Sequence, residues 1–214
     1  MKRHLITFLN DGLSGLDPSI PSKSVEEYLF LYLTEWKRWN TKINLTAESD
    51  ALFVINKHIY ESLQYTLAIS PTGLLADIGS GAGFPGIPIK IILPKLEITL
   101  IESQRKRANF LKTAIHSIGL SGIKCVHGRV EDFPEIEEKY DFVTLRHVLE
   151  PHLSLKLGAG LLKRSGCLVL QTNCNHSFPL DFLDSLGLSL FDEIAFKRTS
   201  SAHSKIMVLK RKPT

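Results

Sequence analysis

The segment Asp77-Ile78-Gly79-Ser80-Gly81-Ala82-Gly83-Phe84-Pro85-Gly86 sets one carboxylate and four glycines at the end of an apolar run, Leu74 to Ile78. Glycine lacks a Cβ and accepts positive φ, so such a turn lets backbone N–H groups approach a nucleotide-like ligand closely. Two cofactor classes use it. Gly81-x-Gly83-x-x-Gly86 fits the dinucleotide fingerprint, whereas Asp77-x-Gly79-x-Gly81-x-Gly83 fits enzymes that use S-adenosylmethionine. A carboxylate ahead of the first glycine would repel a pyrophosphate, but it favours a sulfonium ligand carrying an α-amino group. Asp77 therefore argues for S-adenosylmethionine, with Asp77, Gly79, Gly81 and Gly83 as candidate contacts. The competing reading of Asp77 is a cap on the turn that follows it.

Three further positions belong to the same chemistry. Glu102 ends the run Thr99-Leu100-Ile101, where a carboxylate can accept both hydroxyls of a ribose, a role common to both cofactor classes. Backbone at Val130 and Glu131 is placed to read an adenine amino group, with Phe84 or Ile78 against a ring face; for Glu131 a solvated carboxylate is the alternative. Arg146 follows Val143-Thr144-Leu145 and is the candidate catalytic residue, set to hydrogen-bond cofactor or substrate; the alternative is a structural ion pair.

Absences narrow the acceptor. The chain has no Asn/Asp-Pro-Pro-Tyr/Phe motif for exocyclic amino nitrogens and no Pro-Cys pair for carbon-5 of cytosine. It has no Gly-x-Ser-x-Gly elbow, and its eight histidines lack H-E-x-x-H or C-x-x-C partners, so no metal site is expected. Guanine N7 fits these gaps: its lone pair is exposed, so transfer requires positioning rather than proton removal.

These residues need a scaffold that brings strand ends together. Residues 24 to 40 read as an amphipathic helix with a capping box at Ser24-Val25-Glu26-Glu27 and an apolar face of Val25, Tyr28, Leu29, Tyr32, Trp36 and Trp39. The loop Asn40 to Thr46 follows, then a second helix from near Asp50 with Leu52, Ile55, Ile59, Leu63 and Thr66 inward. After Pro71-Thr72-Gly73, strands at 74–78, 97–102, 123–126, 142–145 and 167–171 alternate with helices at 86–93, 104–118, 152–163 and 180–186. Strands at 188–196 and 204–210 form an antiparallel pair. The fold class is therefore α/β: a class I S-adenosylmethionine-dependent methyltransferase (Rossmann-like) sheet with an antiparallel last strand and an N-terminal helical cap. The expected organisation is a helical extension over 1–70 packed on a Rossmann-like domain over 71–214.

Composition agrees with a globular chain of 214 residues, 43% hydrophobic, with net charge +4. Mean hydropathy is +0.03 and the pI is near 8.9, which suits nucleic acid without requiring it. Three cysteines form no C-x-x-C pair; Cys125 and Cys167 fall in strands and are expected in the core. No apolar run reaches the ~18 residues of a membrane helix, and Asn10-Asp11 interrupts the apolar start, so a cytoplasmic protein is expected.

Trp39-Asn40-Thr41-Lys42-Ile43-Asn44-Leu45-Thr46 with His58 to Leu63, Asp77 to Pro88, and Glu102 to Leu111 together resemble the RsmG (GidB) family of bacterial small-subunit rRNA guanine-N7 methyltransferases. The likeness runs from about Ser24 to Arg146. It implies methylation of N7 of one guanine in 16S rRNA of the small ribosomal subunit, with S-adenosylmethionine as cofactor; the protein is expected to be a monomer. By position it assigns cofactor contacts to Gly79, Phe84, Val130, Glu131 and Arg146, and Glu102 to the ribose. It also turns Asn40, Asn44 and His58 toward the crevice. The chain departs from the family at Leu145-Arg146-His147, at Gln171-Thr172-Asn173 and in a shortened basic loop, Lys197 to His203. Lys37, Arg38, Lys42, Arg105, Lys106, Arg107, Lys163, Arg164, Lys197, Arg198 and the tail from Lys205 offer an RNA footprint, read otherwise as solvated faces. The other readings are a methyltransferase of this fold with another RNA or small-molecule acceptor, a nicotinamide oxidoreductase, and a non-catalytic RNA-binding factor.

Overall fold

A computed structural model describes residues 22–146, 151–197 and 203–212. Alternation of apolar residues at period two builds a sheet covered on both faces. In β1 (Gly73–Ile78), Leu75 joins one apolar cluster while Ala76 and Ile78 join the other. β5 (Leu162–Asn173) divides likewise, with Val169 on the first face and Leu168 and Leu170 on the second. The remaining strands are β2 (Leu96–Glu102), β3 (Ile123–His127), β4 (Tyr140–Leu145), β6 (Leu188–Lys197) and β7 (His203–Arg211). They lie in the order β3-β2-β1-β4-β5-β7-β6. β1 to β5 run parallel, and β7 is antiparallel to both β5 and β6. The expected class I sheet with its antiparallel last strand is the fold observed.

The chain reverses winding between β1 and β4, which opens a crevice at their carboxyl ends. Register then decides who meets there. Ile78 pairs with Ile101 and with Leu145, so Gly79, Glu102 and Arg146, each one residue further on, emerge side by side.

The first helix, α1 (Ser22–Ile43), is longer than its apolar pattern suggests. Ser24 lies inside it, so the expected capping box is not its N-terminus, and Asn40 to Ile43 are helical rather than loop. Val25, Leu29, Tyr32, Leu33 and Trp36 are buried, whereas Tyr28, expected on the same face, is exposed. Trp39 packs on Phe110 with ring centroids 5.9 Å apart. Asp50 accepts from the Leu52 backbone N–H at 3.1 Å and caps α2 (Ala51–Val54). That helix widens into a π-helical turn, Ile55–Ile59, before α3 (Tyr60–Gln64). α4 (Gly86–Ile92) and α5 (Arg105–Ile118) pack on the same face as α1, and buried cap and sheet residues share one continuous cluster. α6 (Pro151–Leu161) and α7 (Leu180–Ser185) cover the other face. Cys125 and Cys167 lie in β3 and β5 as expected, but are half-buried rather than fully core. No described helix is long and apolar enough to cross a membrane. The basic loop after β6 and the apolar start fall at 198–202 and 1–21, outside the described residues.

Candidate active site

The glycine turn is held from three sides. Gly79, at φ 69°, donates its N–H to Ile101 O at 2.9 Å, which bends the chain off the end of β1. Gly81 donates to Glu102 Oε2 at 2.8 Å, and Tyr32 Oη donates to Ala82 O at 2.5 Å from the cap helix. Glu102 Oε1 also accepts from the Gln104 N–H at 2.7 Å. Glu102 is buried and is not among the residues that line the cleft; each of its oxygens braces the turn and retains a second lone pair.

Asp77 lies beneath the turn rather than in the crevice. It is 1% exposed, and its carboxylate accepts from Thr144 Oγ1 at 2.8 Å and from the Gly86 N–H at 3.3 Å. This is the capping role that the sequence left as the alternative. Burial pushes its carboxyl up to about 6, against the hydrogen bonds from Thr144 and Gly86 that lower it. The folded state thus holds this proton more tightly than the unfolded chain does. The group favours folding at acid pH and loses that advantage as pH rises through about 6. Relative to wild type, Asp77→Asn should therefore gain about 3 kcal/mol of stability between about pH 4 and about pH 8. Urea unfolding of both proteins at the two pH values measures this; a constant difference between them would contradict it.

The opposite wall comes from the cap. Glu48 Oε1 accepts from Lys57 Nζ at 2.8 Å, and Glu48 Oε2 lies 3.0 Å from His58 Nε2. His58 Nδ1 is 2.8 Å from Arg146 Nη2, which also donates to Glu61 Oε2 at 2.5 Å, while Arg146 Nε donates to Gln171 Oε1 at 3.1 Å. A guanidinium can only donate, so Nδ1 accepts and the imidazole proton resides on Nε2, donated to Glu48. Burial first, and then the neighbouring Arg146 charge, lower the His58 pKa from its ordinary value, so the ring is neutral at neutral pH. Hydrogen bonds from Lys57 and His58 outweigh partial burial and hold the Glu48 carboxyl at about 2. His58 stacks on Phe84 at 5.1 Å, and the Arg146 guanidinium lies 5.7 Å from the same ring.

Between the walls lies a cleft of about 220 Å³ lined by residues that include Glu48, His58, Gly79, Gly81, Phe84, Arg107 and Arg146. The structure therefore brings Gly79, Gly81, Phe84 and Arg146 together, as the sequence expected. Arg146 is 7% exposed and committed to Glu61, His58 and Gln171, so the ion-pair alternative describes it as well. Gly83 is not in the lining: a Cβ there would meet Ile87 Cδ1 at 2.6 Å, and its glycine serves packing. Val130 and Glu131 form a 3-10 turn beyond Glu102, tied there by the Gly128 N–H to Glu102 O at 3.1 Å; Val130 is half-buried and Glu131 exposed. Asn40 and Asn44 do not line the cleft. Asn40 braces the loop, donating to Glu48 O at 2.8 Å and accepting from the Thr46 N–H at 2.9 Å, and Asn44 takes φ 48°. Glu48 and Glu61 were not singled out in the sequence, although Glu48 lies two residues after the Asn44-Leu45-Thr46 segment and Glu61 lies three residues after His58, on the same side of a helix.

The family model for rRNA small subunit methyltransferase G matches residues 25–174. The chain belongs to that family. The match extends past the end of β4, where the sequence likeness was weakest, to Cys174. Relatives called ribosomal RNA small subunit methyltransferase G include that of Lactococcus lactis subsp. cremoris, 34% identical over 94% of this chain and 88% of its own. That of Streptococcus agalactiae is 44% identical over 72% and 67%. Among solved structures, M. jannaschii TYW2 in complex with AdoMet superposes with a TM-score of 0.60 at 16% identity, over 72% of this chain and 76% of its own. A SAM-dependent methyltransferase from Aquifex aeolicus gives 0.56 at 13%, over 82% and 97%, which likewise shows the fold. As a member of the rRNA small subunit methyltransferase G family, the chain is an S-adenosylmethionine-dependent rRNA methyltransferase, and the dinucleotide reading of Gly81-x-Gly83-x-x-Gly86 falls.

Proposed function

We propose that this enzyme methylates N7 of a single guanine in 16S rRNA. One observation carries the choice of atom. The titratable side chains that face the cleft are poor bases: His58 Nδ1 is engaged by Arg146, its Nε2 proton is donated to Glu48, and Glu48 itself is held near pKa 2. An acceptor that must lose a proton finds no partner among these groups, whereas N7 attacks with a lone pair it already has. When bound, S-adenosylmethionine would supply the methyl group: the S–CH3 bond would break as N7–CH3 formed, leaving the bonding pair on sulfur and the positive charge on the purine.

The chain's own part is positioning and exclusion of water. Gly79 and Gly81 allow close backbone approach, Glu102 would accept from the ribose, and backbone at Val130 and Glu131 would read the adenine amino group. The cleft, at about 220 Å³, is open on one side and smaller than the roughly 300 Å³ usual for small-molecule sites, so residues beyond its lining, Glu102, Val130 and Glu131, would be needed to hold the cofactor. Phe84 supports His58, and Arg146 positions it. Arg105 and Lys106 are exposed at the start of α5, beside Arg107 in the cleft, and suit RNA phosphates. In this reading the described part of the 1–70 extension, residues 22–70, caps the catalytic unit 71–214. Strand scission specific for N7-methylguanine, applied to 16S rRNA from cells with and without this protein, tests the proposal. Loss of one cut on deletion is the expected result; an unchanged cutting pattern would refute it.

A further inference from the structure

Glu48 is built as a fixed double acceptor. Its backbone carbonyl accepts from Asn40 Nδ2 at 2.8 Å and from Thr46 Oγ1 at 3.0 Å, so the loop cannot swing freely. Its side chain keeps 19% exposure at the cleft, whereas Asp77, Glu61 and Glu102 are buried. Lys57 donates to Oε1, His58 to Oε2 and the residue's own backbone N–H to the carboxylate, so the acceptor capacity that remains lies on the exposed part of the group. Two adjacent acceptors of this kind match two adjacent N–H donors.

Guanine presents such a pair, N1–H and the exocyclic N2–H2, on the edge opposite N7. We propose that Glu48 reads this edge of the acceptor base and so points N7 across the cleft at the glycine turn. The inference rests on guanine being the acceptor. Adenine offers a lone pair at N1, which a carboxylate repels, and pyrimidines have no N7. Glu48 and the Gly79–Gly81 backbone line one cleft, together with His58 and Phe84, whose rings stack at 5.1 Å. The contact also strengthens during reaction. As positive charge develops on the purine, N1–H becomes more acidic and its bond to the carboxylate tightens, so Glu48 contributes to kcat as well as to KM.

The test replaces the acceptor guanine, once mapped, by inosine, which lacks N2–H2 but keeps N7 and N1–H. Wild-type enzyme should lose about tenfold in kcat/KM on the inosine RNA. Glu48→Gln should lose about 10- to 100-fold on guanine, with a fall in kcat, and should distinguish guanine from inosine less than about twofold. Calorimetric affinity for S-adenosylmethionine should be unchanged within about twofold in the variant, which a collapsed cleft would not allow. Retention of the tenfold preference by Glu48→Gln, or a parallel loss of cofactor affinity, would overturn the assignment. Equal use of guanine and inosine by wild type would overturn it while leaving the guanine-N7 reading intact. Methylation of no guanine at all would overturn both.

Discussion

Replacing Arg146 with alanine should lower the melting temperature by about 10 °C. The guanidinium and Glu61 form an ion pair whose side chains are only 4% and 1% exposed. Removing one member of a buried pair costs about 3–5 kcal/mol, because the remaining charge loses this counter-ion but stays desolvated. For a chain of this size each kcal/mol moves the midpoint by roughly 2–4 °C. The loss spreads further, since Arg146 also donates to Gln171 Oε1 and to His58 Nδ1. With its donor gone, His58 is free to change tautomer, and the stack on Phe84 loosens. Scanning calorimetry of Arg146→Ala beside a double variant, Arg146→Met with Glu61→Leu, gives the check. The double variant should recover much of the loss, because no buried charge remains. A single variant within about 2 °C of wild type would show that the pair contributes nothing.

Gly79→Asp should abolish measurable binding of S-adenosylmethionine, a loss of more than about 100-fold, with the sheet still folded. Gly79 sits at φ 69°, a region that aspartate tolerates better than most residues, so the backbone cost is about 1 kcal/mol. Its N–H still bonds Ile101 O, which keeps the turn attached to β2. The new side chain, however, fills the cleft where backbone alone now stands, and it adds a second carboxylate beside Glu102. Calorimetric titration with circular dichroism on the same sample separates the outcomes. Wild-type affinity in a folded variant would remove the turn from the cofactor site.

The two effects differ in what the sequence could say of them. Gly79 was legible because a strand, a carboxylate and spaced glycines form a local pattern within ten residues, and the sheet followed from equally local alternation. Register then carried Glu102 and Arg146 to the same place, since residues one step past paired strand ends must be neighbours. The Asp77 carboxylate bonds Thr144 and caps the turn, the alternative the sequence left open: type and spacing cannot tell a ligand-facing carboxylate from a capping one, and Thr144 lies 67 positions away. Gly83 was misplaced for a similar reason, since its closeness to Ile87 and Leu111 depends on how α4 and α5 pack. The chain Glu61–Arg146–His58–Glu48 was the least visible. It joins residues up to 88 positions apart, and the π-helical turn that sets Lys57 and His58 together on Glu48 has no strong signature in the sequence. Ser24 shows the converse error, a local capping pattern overridden because α1 already extends back to Ser22.

The proposed reaction delivers a methyl group in this cleft to guanine N7 of small-subunit RNA. Its most direct measurement uses purified protein, S-adenosylmethionine with a labelled methyl, and 16S rRNA from cells lacking the protein, offered both free and as assembled subunits. Label should enter at one guanine, and strand scission specific for N7-methylguanine should cut at that nucleotide alone. Label on another base, on a ring nitrogen other than N7, or on no RNA at all would contradict the account.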